Sequence, residues 1–370
     1  MKTWNDLTRA TNAQILEWAE AQPWARNMAV CQQDAQWHAE GDVWTHTKMV
    51  SGELERLPDW PMLDRTTQLK LLFTALLHDA GKPATTMIDP ETGRTRSPQH
   101  SAVGAEITRS VLRELGCDLV TREQITALAR FHGRPPFLLE KPSPEHEVIY
   151  LSWLVNNRLL YLFALADTRG RQAKEMSRPE ENLHLWKLAA EEHDCFETPY
   201  AFVNPHARFL FYRDQLSSLH YTPHLNDRCT VTLMSGLPGA GKDTWLARHR
   251  PKTPVVALDA IREALDIEAT ENQGEVVQTA REKCREHLRT GRSFAFNATN
   301  ITRQMRQRWI NLFADYGAQI EIVYLEPPFA TILTQNSRRT TPVPENVLLR
   351  LLQRLEPPTI TECHSLIFEQ

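Results

Sequence analysis

The sequence predicts two domains, an all-α domain followed by an α/β domain with a parallel sheet. The length of 370 residues is enough for two domains of typical size, each with its own core. Residues 1–198 show apolar patterns of helical period and few alternating runs. After residue 228, short β-branched runs alternate with helical stretches, which is typical of a parallel sheet covered by helices on both faces. We therefore expect domains at 1–198 and 229–370, with a junction at 199–228.

The composition excludes several classes of protein. Apolar residues make up 41% of the chain and charged residues 24%, which excludes a disordered chain. No apolar run approaches the roughly 18 residues of a membrane span, and MKTWNDLTRA lacks the basic and apolar segments of a secretory signal. Six cysteines without a CxxC pair indicate reduced thiols, not disulfides or a zinc ribbon. We therefore expect a cytoplasmic protein without a membrane partner.

The charge of the chain limits how it could bind nucleic acid. The net charge is −4, from 42 basic and 46 acidic residues, and neither predicted domain is strongly basic. Extended binding to a duplex is therefore not expected from charge. A nucleic-acid partner is expected to be bound locally, at an end.

Three stretches of the first domain have the apolar pattern of buried helices. They are Leu69–Leu77, Ala105–Leu115 and Val148–Ala166, and Gly and Pro clusters separate them. In the junction the pattern weakens, although ARFLFYRDQL is expected to form a short linking helix. No internal repeat is visible along the chain.

The second domain alternates strands and helices from its first residues. The expected strands are Thr230–Met234, Val255–Leu258, Ser293–Phe296 and Ile320–Leu325. The expected helices are Thr244–Arg248, Gly274–Thr290, Thr302–Tyr316 and Pro344–Leu355.

An aspartate ends each of two apolar helices in the first domain. The segment LKLLFTALLHDAGKP is apolar nearly all round and ends in His78 and Asp79, and RLLYLFALADTRGR ends in Asp167. A buried carboxylate at the negative end of a helix dipole is unfavourable unless a positive charge compensates it. The pattern therefore predicts that the two aspartates share a cation.

Histidines supply further candidate ligands. His46 lies in GDVWTHTKMV, His100 in SPQHSAVGAE and His132 in ARFHGRPP. Together with the aspartates they form a mixed imidazole and carboxylate set. Such a set suits Mn, Fe, Ni, Co or Zn better than calcium. For any one histidine the other interpretation is a surface residue or a satisfied core residue.

The order H…HD…H…H…D resembles that of the HD-domain metal-dependent phosphohydrolases, with Lys82 placed as in the HDxGK variant. The resemblance implies that one metal is held by His46, His78, Asp79 and Asp167, and a second by His100, His132 and a bridging Asp79. Metals in such sites activate water for attack on phosphorus and neutralise the phosphoryl oxygens. Lys82 is then a candidate to steady the phosphate. For Arg169 we expect a loop charge in solvent, and contact with the phosphate is the alternative.

The segment TVTLMSGLPGAGKDTW reads as a strand, a glycine-rich loop and a helix. Glycines let backbone amides converge on phosphates, and Lys242 would reach the β- and γ-phosphates of ATP. The position after this lysine is usually a Ser or Thr that binds Mg²⁺, but here it is Asp243, which either faces the magnesium or caps the following helix. The candidate ATP-binding residues are Gly236, Gly239, Ala240, Gly241, Lys242, Asp243, Thr244 and Arg339.

An aspartate and two arginines are further candidates for the ATP site of the second domain. Asp259 follows the strand VVAL and stands where it could accept the proton of an attacking hydroxyl, although it could instead be an N-cap for a helix at 260–265. In NSRRTTPVP, Arg338 and Arg339 lie at a helix end before a proline-marked loop, which favours a lid that closes on a triphosphate. The alternative for these arginines is a solvated helix end.

This half resembles the phage-type polynucleotide 5′-kinases. The matching segments are GLPGAGKDT, the DxxR of Asp259 and Arg262, the ATN before Ile301 and the lid NSRR…VP. The resemblance implies that Asp259 is the general base for the 5′-hydroxyl and that Arg262 holds the acceptor phosphate. It makes Arg339 the lid arginine, while Gln335 stands where a further lid arginine is expected.

The order of the two halves is similar to that of the bacterial HD-Pnk end-healing enzymes. The resemblance implies ATP-dependent phosphorylation of 5′-OH ends of RNA or DNA, and removal of a 3′-phosphate, 2′-phosphate or 2′,3′-cyclic phosphate. It implies ATP and Mg²⁺ for the kinase, a transition metal such as Mn²⁺, Ni²⁺, Co²⁺ or Fe²⁺ for the other half, and a separate ligase that joins the ends. The alternatives are a small-molecule or nucleoside kinase fused to a nucleotide phosphohydrolase, and a non-catalytic ATP-sensing module.

Overall fold

The computed structural model describes residues 2–172, 177–225, 229–268 and 271–370. The chain divides into two compact units, Met1–Ala201 and Phe202–Gln370. The first is built from helices, apart from one pair of two-residue strands, and the second carries a parallel sheet with helices. The predicted fold class is therefore confirmed.

Helices of the first unit enclose its core. They are α1 (Trp4–Thr8), α2 (Asn12–Glu20), α3 (Pro23–Ala29), α4 (Val43–Arg56), α5 (Arg65–Leu77), α6 (Lys82–Thr85), α7 (His100–Glu114), α8 (Leu119–Phe131), α9 (Pro144–Ser152), α10 (Asn157–Arg169) and α11 (Ser177–Glu192). The short antiparallel strands β1 (Met87–Ile88) and β2 (Thr95–Arg96) lie between α6 and α7, and 3-10 turns occupy Trp60–Met62 and Pro135–Glu140.

Helix α5 is the central helix of this unit. Its residues from Leu71 to Leu77 are all buried, as its nearly continuous apolar sequence predicts. It contacts α4, α8 and α10, so the C-terminal ends of several helices meet beside its last turn. This packing places the residues that follow α5 in the interior of the unit.

The apolar stretch Val148–Ala166 is two helices, not one. Helices α9 and α10 are bent by 111° at a short break. Asn156 is the N-cap of α10, where its side chain accepts a hydrogen bond from the backbone NH of Leu159. The side chain of Asn157 donates to the carbonyls of Val148 and Cys195. These side-chain bonds satisfy backbone groups at the bend, so the apolar pattern continues while the helix does not.

Gly81 allows α7 to approach the end of α5 closely. A Cβ atom on Gly81 would lie 2.1 Å from the carbonyl oxygen of His100 and 2.5 Å from the backbone nitrogen of Gly104. Only glycine fits between these two backbones. The close approach brings the first residue of α7 next to the segment that follows α5.

The second unit is a five-stranded parallel sheet flanked by helices. Its strands are β3 (Thr230–Ser235), β4 (Val255–Ala257), β5 (Phe294–Asn297), β6 (Gln319–Leu325) and β7 (Ser365–Glu369), in the order β4-β5-β3-β6-β7. Its helices are α12 (Pro205–Phe211), α13 (Lys242–His249), α14 (Leu258–Leu265), α15 (Gly274–Arg289), α16 (Arg303–Asp315), α17 (Phe329–Ser337) and α18 (Glu345–Gln353).

The strands predicted for this unit are all present, and the structure adds β7. This fifth strand pairs in parallel with β6 at the edge of the sheet. Its residues are exposed or half-buried, so it lacks the apolar run that predicts the other strands. The central strand β3 pairs with β5 on one side and β6 on the other, so the loop after β3 emerges at the middle of the sheet.

The boundary between the units lies inside the predicted junction of 199–228, near its first residue. The second unit begins at Phe202, and α12 belongs to it, since Phe209 lies in the core of that unit. The Arg208 guanidinium donates to the carbonyl oxygens of Cys363 and His364. The helix in ARFLFYRDQL therefore packs as part of the second unit and is not a free linker, while residues 226–228 of the predicted junction lie outside the described residues.

Among the described residues there is neither a single helix that could span a membrane nor a disulfide. No single helix among them has the length and apolar content to cross a membrane; α9 and α10 pass that test only when taken together across their bend. All six cysteines are free and buried.

Candidate functional site

The histidines and aspartates predicted as metal ligands come together in the first unit. They lie at helix ends or inside helices: His46 on α4, His78 and Asp79 just after α5, His100 at the start of α7, His132 just after α8, and Asp167 on α10. Ligand atoms of His46, His78 and Asp79 lie within 4.8 Å of one another, as do those of Asp79, His100 and His132. Asp79 is common to both groups.

The distances show one continuous cluster. Asp79 Oδ2 lies 3.2 Å from His78 Nε2 and 4.0 Å from His46 Nε2. Asp79 Oδ1 lies 3.5 Å from His100 Nε2 and 3.8 Å from His132 Nε2. Asp167 Oδ1 lies 3.0 Å from His46 Nε2 and 3.9 Å from His78 Nε2. The two oxygens of Asp79 therefore face different pairs of histidines.

Backbone carbonyls orient three of the imidazoles. The Nδ1 atoms of His78, His100 and His132 donate to the carbonyl oxygens of residues three positions earlier, at 2.9, 2.8 and 2.7 Å. Because a carbonyl only accepts, each Nδ1 carries a proton, and in the neutral ring each Nε2 is left with a free lone pair. Metal-binding histidines are usually held in this way.

The centre of the cluster holds acceptors that face one another. Within the described residues, His78 Nε2 and Asp79 Oδ1 are buried and have no hydrogen-bond partner. A lone pair on His78 and a carboxylate on Asp79 repel each other unless a cation lies between them. The residues present therefore fit a divalent metal, and their nitrogen and oxygen donors fit a transition metal.

The charges around the cluster keep its carboxylates ionised. Burial alone raises the pKa of Asp79, but its polar surroundings, above all the charge of Lys82, outweigh it and hold this pKa well below its ordinary value. Burial is likewise outweighed at Asp167, where Arg171 and His46 hold the pKa well below its ordinary value. Anionic carboxylates are the form that binds a metal.

The loop between α3 and α4 adds residues that the sequence did not single out. Glu40 Oε1 lies 3.0 Å from His46 Nδ1 and accepts a hydrogen bond from His38 Nδ1 at 2.8 Å. A carboxylate behind a ligand histidine orients the ring and raises its basicity. The pairing of Glu40 with His46, six residues later and across a helix start, leaves no periodic signal in the sequence.

Lys82 lies inside the cluster, as predicted, whereas Arg169 does not. Lys82 Nζ lies 2.7 Å from Asp79 Oδ2 and 2.6 Å from Gln33 Oε1, so it is positioned to meet a phosphate bound beside Asp79. Arg169 pairs with Glu180. The arginine that reaches the cluster is Arg171, 2.5 Å from Asp167 and four residues after it, a spacing that could have revealed it.

The glycine-rich loop of the second unit has the backbone that phosphate binding requires. Gly236, Gly239 and Gly241 have positive φ angles of 147°, 80° and 91°. A Cβ atom on Gly236 would lie 2.6 Å from the carbonyl oxygen of Leu325. The loop runs from β3 into the N-terminus of α13, with Ala240 buried against the sheet and Thr244 exposed in the first turn of the helix. Backbone NH groups and the positive end of the helix dipole favour a bound anion there.

The side chain of Lys242 is held against the glycine-rich loop by two backbone carbonyls of that loop. Its ammonium donates to the carbonyl oxygens of Gly236 and Leu237, at 2.9 and 2.8 Å. Burial lowers the pKa of Lys242 to about 8, although the charges of Asp243 and Asp259 oppose this shift. The lysine is therefore placed at the phosphate cradle, in reach of the loop that would surround the phosphates.

Asp243 contacts a residue of the neighbouring strand. Its Oδ1 accepts a hydrogen bond of 2.6 Å from Nδ2 of Asn297, the last residue of β5. The helix α13 is capped by Gly241, and no side chain makes its cap hydrogen bond. Asp243 lies in the first turn of α13, where the helix dipole favours an acid, but its side chain makes no cap hydrogen bond.

Asp259 lies between two arginines at the carboxyl edge of the sheet. One carboxylate oxygen contacts the Arg262 guanidinium, and the other lies 3.4 Å from the Arg339 guanidinium. The side chain of Asp259 is 75% exposed. The N-cap interpretation is wrong, because α14 begins at Leu258 and its N-cap is Ala257.

The end of α17 closes over the glycine-rich loop. A Cβ atom on Gly239 would lie 3.2 Å from Asn336, and one on Gly241 would lie 3.6 Å from Gln335. The Asn336 side chain donates to the carbonyl of Val343 and accepts from its NH, so it fixes the turn that carries Arg338 and Arg339. The segment for which the sequence predicts a lid therefore lies beside the glycine-rich loop, and its role as a lid stays a prediction.

Comparisons with known proteins identify both units. Residues 43–153 match the HD domain family, and residues 231–358 match a family described as AAA domain. A curated relative, the CC-adding tRNA nucleotidyltransferase of Thermus thermophilus, is 39% identical over 90 residues, or 24% of this chain and 19% of that protein. The A-adding tRNA nucleotidyltransferase of Deinococcus radiodurans is 36% identical over 92 residues, or 25% of this chain and 20% of that protein.

The matches cover the two units separately. The chain spans about a fifth of the length of these two relatives. An HD domain implies a bound metal, which agrees with the histidine–aspartate cluster. A P-loop domain implies ATP with Mg²⁺, which agrees with the glycine-rich loop and Lys242. The chain therefore combines an HD phosphohydrolase-type domain with a P-loop kinase-like domain.

Proposed function

We propose that this protein heals broken nucleic-acid ends. In this proposal the second unit phosphorylates 5′-OH ends with ATP, and the first removes a 3′-phosphate, a 2′-phosphate or a 2′,3′-cyclic phosphate. The observation that carries the proposal is the position of Asp259, an exposed carboxylate between Arg262 and Arg339 beside the phosphate loop. A base in an open position suits the end of a polymer, whereas a nucleoside kinase needs a pocket that encloses its substrate.

The kinase step uses groups of this chain in separate roles. The Asp259 carboxylate takes the proton of the 5′-hydroxyl as its oxygen forms a bond to the γ-phosphorus and the bond to the β-phosphate oxygen breaks, which leaves ADP. Lys242 and Arg339 balance the charge on the phosphoryl oxygens. Arg262 holds the phosphate next to the 5′ end. Bound Mg²⁺ supplies further neutralisation of the triphosphate.

The phosphohydrolase step uses the histidine–aspartate cluster. Metals held by His46, His78, Asp79 and Asp167, and by Asp79, His100 and His132, would activate water and neutralise the phosphoryl oxygens. Lys82, 2.7 Å from Asp79, then steadies the phosphate that is removed. Glu40 keeps His46 oriented through its Nδ1.

The substrate class and the partner follow from the products. A 5′-phosphate and a free 3′-hydroxyl are the ends that a ligase joins, so the proposal implies a separate ligase as partner. The two relatives are named as tRNA nucleotidyltransferases, which favours RNA over a small molecule as substrate. The proposal keeps the cytoplasmic location that the sequence predicts.

An oligonucleotide with a 5′-OH and a 3′-phosphate tests the proposal. It is incubated with ATP and either Mg²⁺ alone or Mg²⁺ with Mn²⁺, Ni²⁺, Co²⁺ or Fe²⁺, and both ends are read by mass spectrometry. We expect a 5′-phosphate with Mg²⁺ alone and loss of the 3′-phosphate when a transition metal is added. A nucleoside serves as the competing substrate. Phosphorylation of the nucleoside and not the oligonucleotide would favour the small-molecule alternative, and turnover of neither would favour the ATP-sensing one.

Two variants are expected to separate the activities. Asp79→Ala removes a ligand common to both metal groups, so loss of the 3′-phosphate should fall by at least about a hundredfold while kinase activity persists. Lys242→Ala should abolish the kinase activity and leave the other. Circular dichroism and thermal unfolding of each variant serve as controls for folding. If a well-folded Asp79→Ala variant loses both activities, the assignment of one activity to each unit is wrong.

A further inference from the structure

Two positions that hold magnesium in P-loop enzymes carry unusual residues here. The loop position after the lysine is commonly Ser or Thr, and a second, acidic group comes from a separate strand. In this chain the loop position is Asp243, and the strand next to β3 ends in an amide, Asn297. The acid is on the loop and the neutral group is on the strand.

The contact between these two residues fixes the direction of the amide. Asn297 Nδ2 lies 2.6 Å from Asp243 Oδ1, and a carboxylate only accepts, so the nitrogen of the amide faces Asp243. The amide oxygen is then turned away from Asp243. This oxygen is buried and has no hydrogen-bond partner within the described residues, while the whole residue is 7% exposed. A buried acceptor without a donor is energetically unfavourable.

We propose that Asp243 and Asn297 have exchanged the usual roles and together hold the hydrated Mg²⁺ of ATP. Asp243 supplies the single negative charge from the loop, and Asn297 supplies a neutral oxygen from the strand. The inference rests on the proposed use of ATP by the second unit and deepens it, since it names the residues that hold its metal. The site therefore keeps a single carboxylate, as in the common pairing of a Ser or Thr on the loop with an acid on the strand.

Electrostatics explains why the two positions must change together. A serine beside Asn297 would leave no carboxylate at the metal, and an aspartate at both positions would place two anions within hydrogen-bond distance of each other. Only the two arrangements with one acid and one neutral group match the charge of the metal site. The exchange therefore predicts that each single substitution is harmful and that the double substitution is much less so.

The test is a double-mutant cycle of wild type, Asp243→Ser, Asn297→Asp and the double variant. For each protein, the Mg²⁺ concentration for half-maximal kinase rate is measured. Calorimetry then gives the Kd of a non-hydrolysable ATP analogue with Mg²⁺ and in EDTA, which needs no turnover. We expect Asp243→Ser to raise the half-maximal Mg²⁺ concentration, and the Kd with Mg²⁺, by about tenfold or more, with little change in EDTA. The double variant should return to within about threefold of wild type.

The controls separate metal binding from folding and from helix electrostatics. Glu275→Gln removes another acidic group from the first turn of a helix, α15, and should leave the Mg²⁺ titration unchanged. Asp243→Asn keeps the size of the side chain, so it decides the case if Asn297→Asp does not fold. Thermal unfolding in EDTA reports folding of every variant.

The outcomes that overturn the inference differ from those that overturn the proposed function. Unshifted Mg²⁺ dependence in both Asp243→Ser and Asp243→Asn rules out the exchange. It is also ruled out if the change in binding free energy of the double variant equals the sum of the changes in the two single variants. If the wild type leaves 5′-OH oligonucleotides unchanged but calorimetry shows the expected cycle, the proposed function is wrong and the exchange stands.

Discussion

Single residues decide how the metal cluster of the first unit is held together. The Nδ1 atoms of His78, His100 and His132 are bound to carbonyls of residues just before them in the chain, so the rings are fixed before any metal arrives. Such preorganisation lowers the entropy lost on binding. The sequence predicts these ligands, but it does not predict Glu40, whose carboxylate lies 3.0 Å from His46 Nδ1.

Gly81 is expected to be essential for this cluster. In Gly81→Ala the new Cβ would clash with backbone atoms of His100 and Gly104, so α7 must move and take His100 away from Asp79. We expect a loss of about 1–3 kcal/mol in the free energy of unfolding and a smaller rise of Tm on addition of Mn²⁺. Differential scanning calorimetry with Mn²⁺ and with EDTA measures both effects.

Gly52→Ala is the matched control for that variant. Gly52 lies inside α4, and a Cβ atom on it would meet no neighbouring atom of the described residues within 4 Å. Alanine there should therefore stabilise the unit by about 0.5–1 kcal/mol. The Mn²⁺ response should stay at the wild-type value. An equal response to Mn²⁺ in Gly81→Ala would show that the close approach of α7 does not position the cluster.

At the level of elements, a buried ion pair joins α16 to the segment before β7. The Arg306 guanidinium forms two hydrogen bonds with the Glu362 carboxylate, at 2.8 and 2.9 Å, and both side chains are fully buried. Arg306 also donates to the carbonyls of Asn300 and Glu356. Arg306 follows the ATN segment in the chain, and these buried contacts show that it stabilises the fold.

Removal of Arg306 is expected to destabilise the second unit strongly. Arg306→Met leaves Glu362 buried without its partner, which should cost about 3–5 kcal/mol of the free energy of unfolding in urea. The control is Arg285→Met on α15, because Arg285 pairs with Glu282 at the surface and its loss should cost less than about 1 kcal/mol. Equal losses for the two variants would contradict the structural role of Arg306.

The break between α9 and α10 shows a limit of element prediction. Apolar periodicity runs through the bend, because residues on both sides face the core. The two consecutive asparagines at 156 and 157 carry the opposite signal, since they bond to backbone groups in place of the helix. An N-cap residue inside an apolar stretch is thus the better predictor of the helix start.

On the scale of the complete chain, the division between Ala201 and Phe202 can be tested by comparing the stability of fragments that begin or end at different residues. A fragment of 202–370 keeps α12, whereas a fragment of 229–370 loses Phe209 from the core and Arg208 from the carbonyls of Cys363 and His364. We expect the longer fragment to unfold cooperatively on heating and the shorter one to have a much lower Tm or no transition. A fragment of 2–201 is expected to fold by itself. Equal Tm values for the two C-terminal fragments would place the boundary at the predicted residue 229.

The fold class, the buried His78 and Asp79 and the glycine-rich loop at Gly236–Lys242 could be predicted from the amino-acid sequence, because each depends on a local pattern of apolar periods, glycines and helix ends. Several contacts between groups far apart in the chain are visible only in the folded structure. Lys82 reaches Gln33 across 49 residues, and Asp243 reaches Asn297 across 54. Contacts of this kind depend on the packing of helices and on the order of strands in the sheet. Both are set by the sum of many side-chain contacts across the core, which no local pattern records.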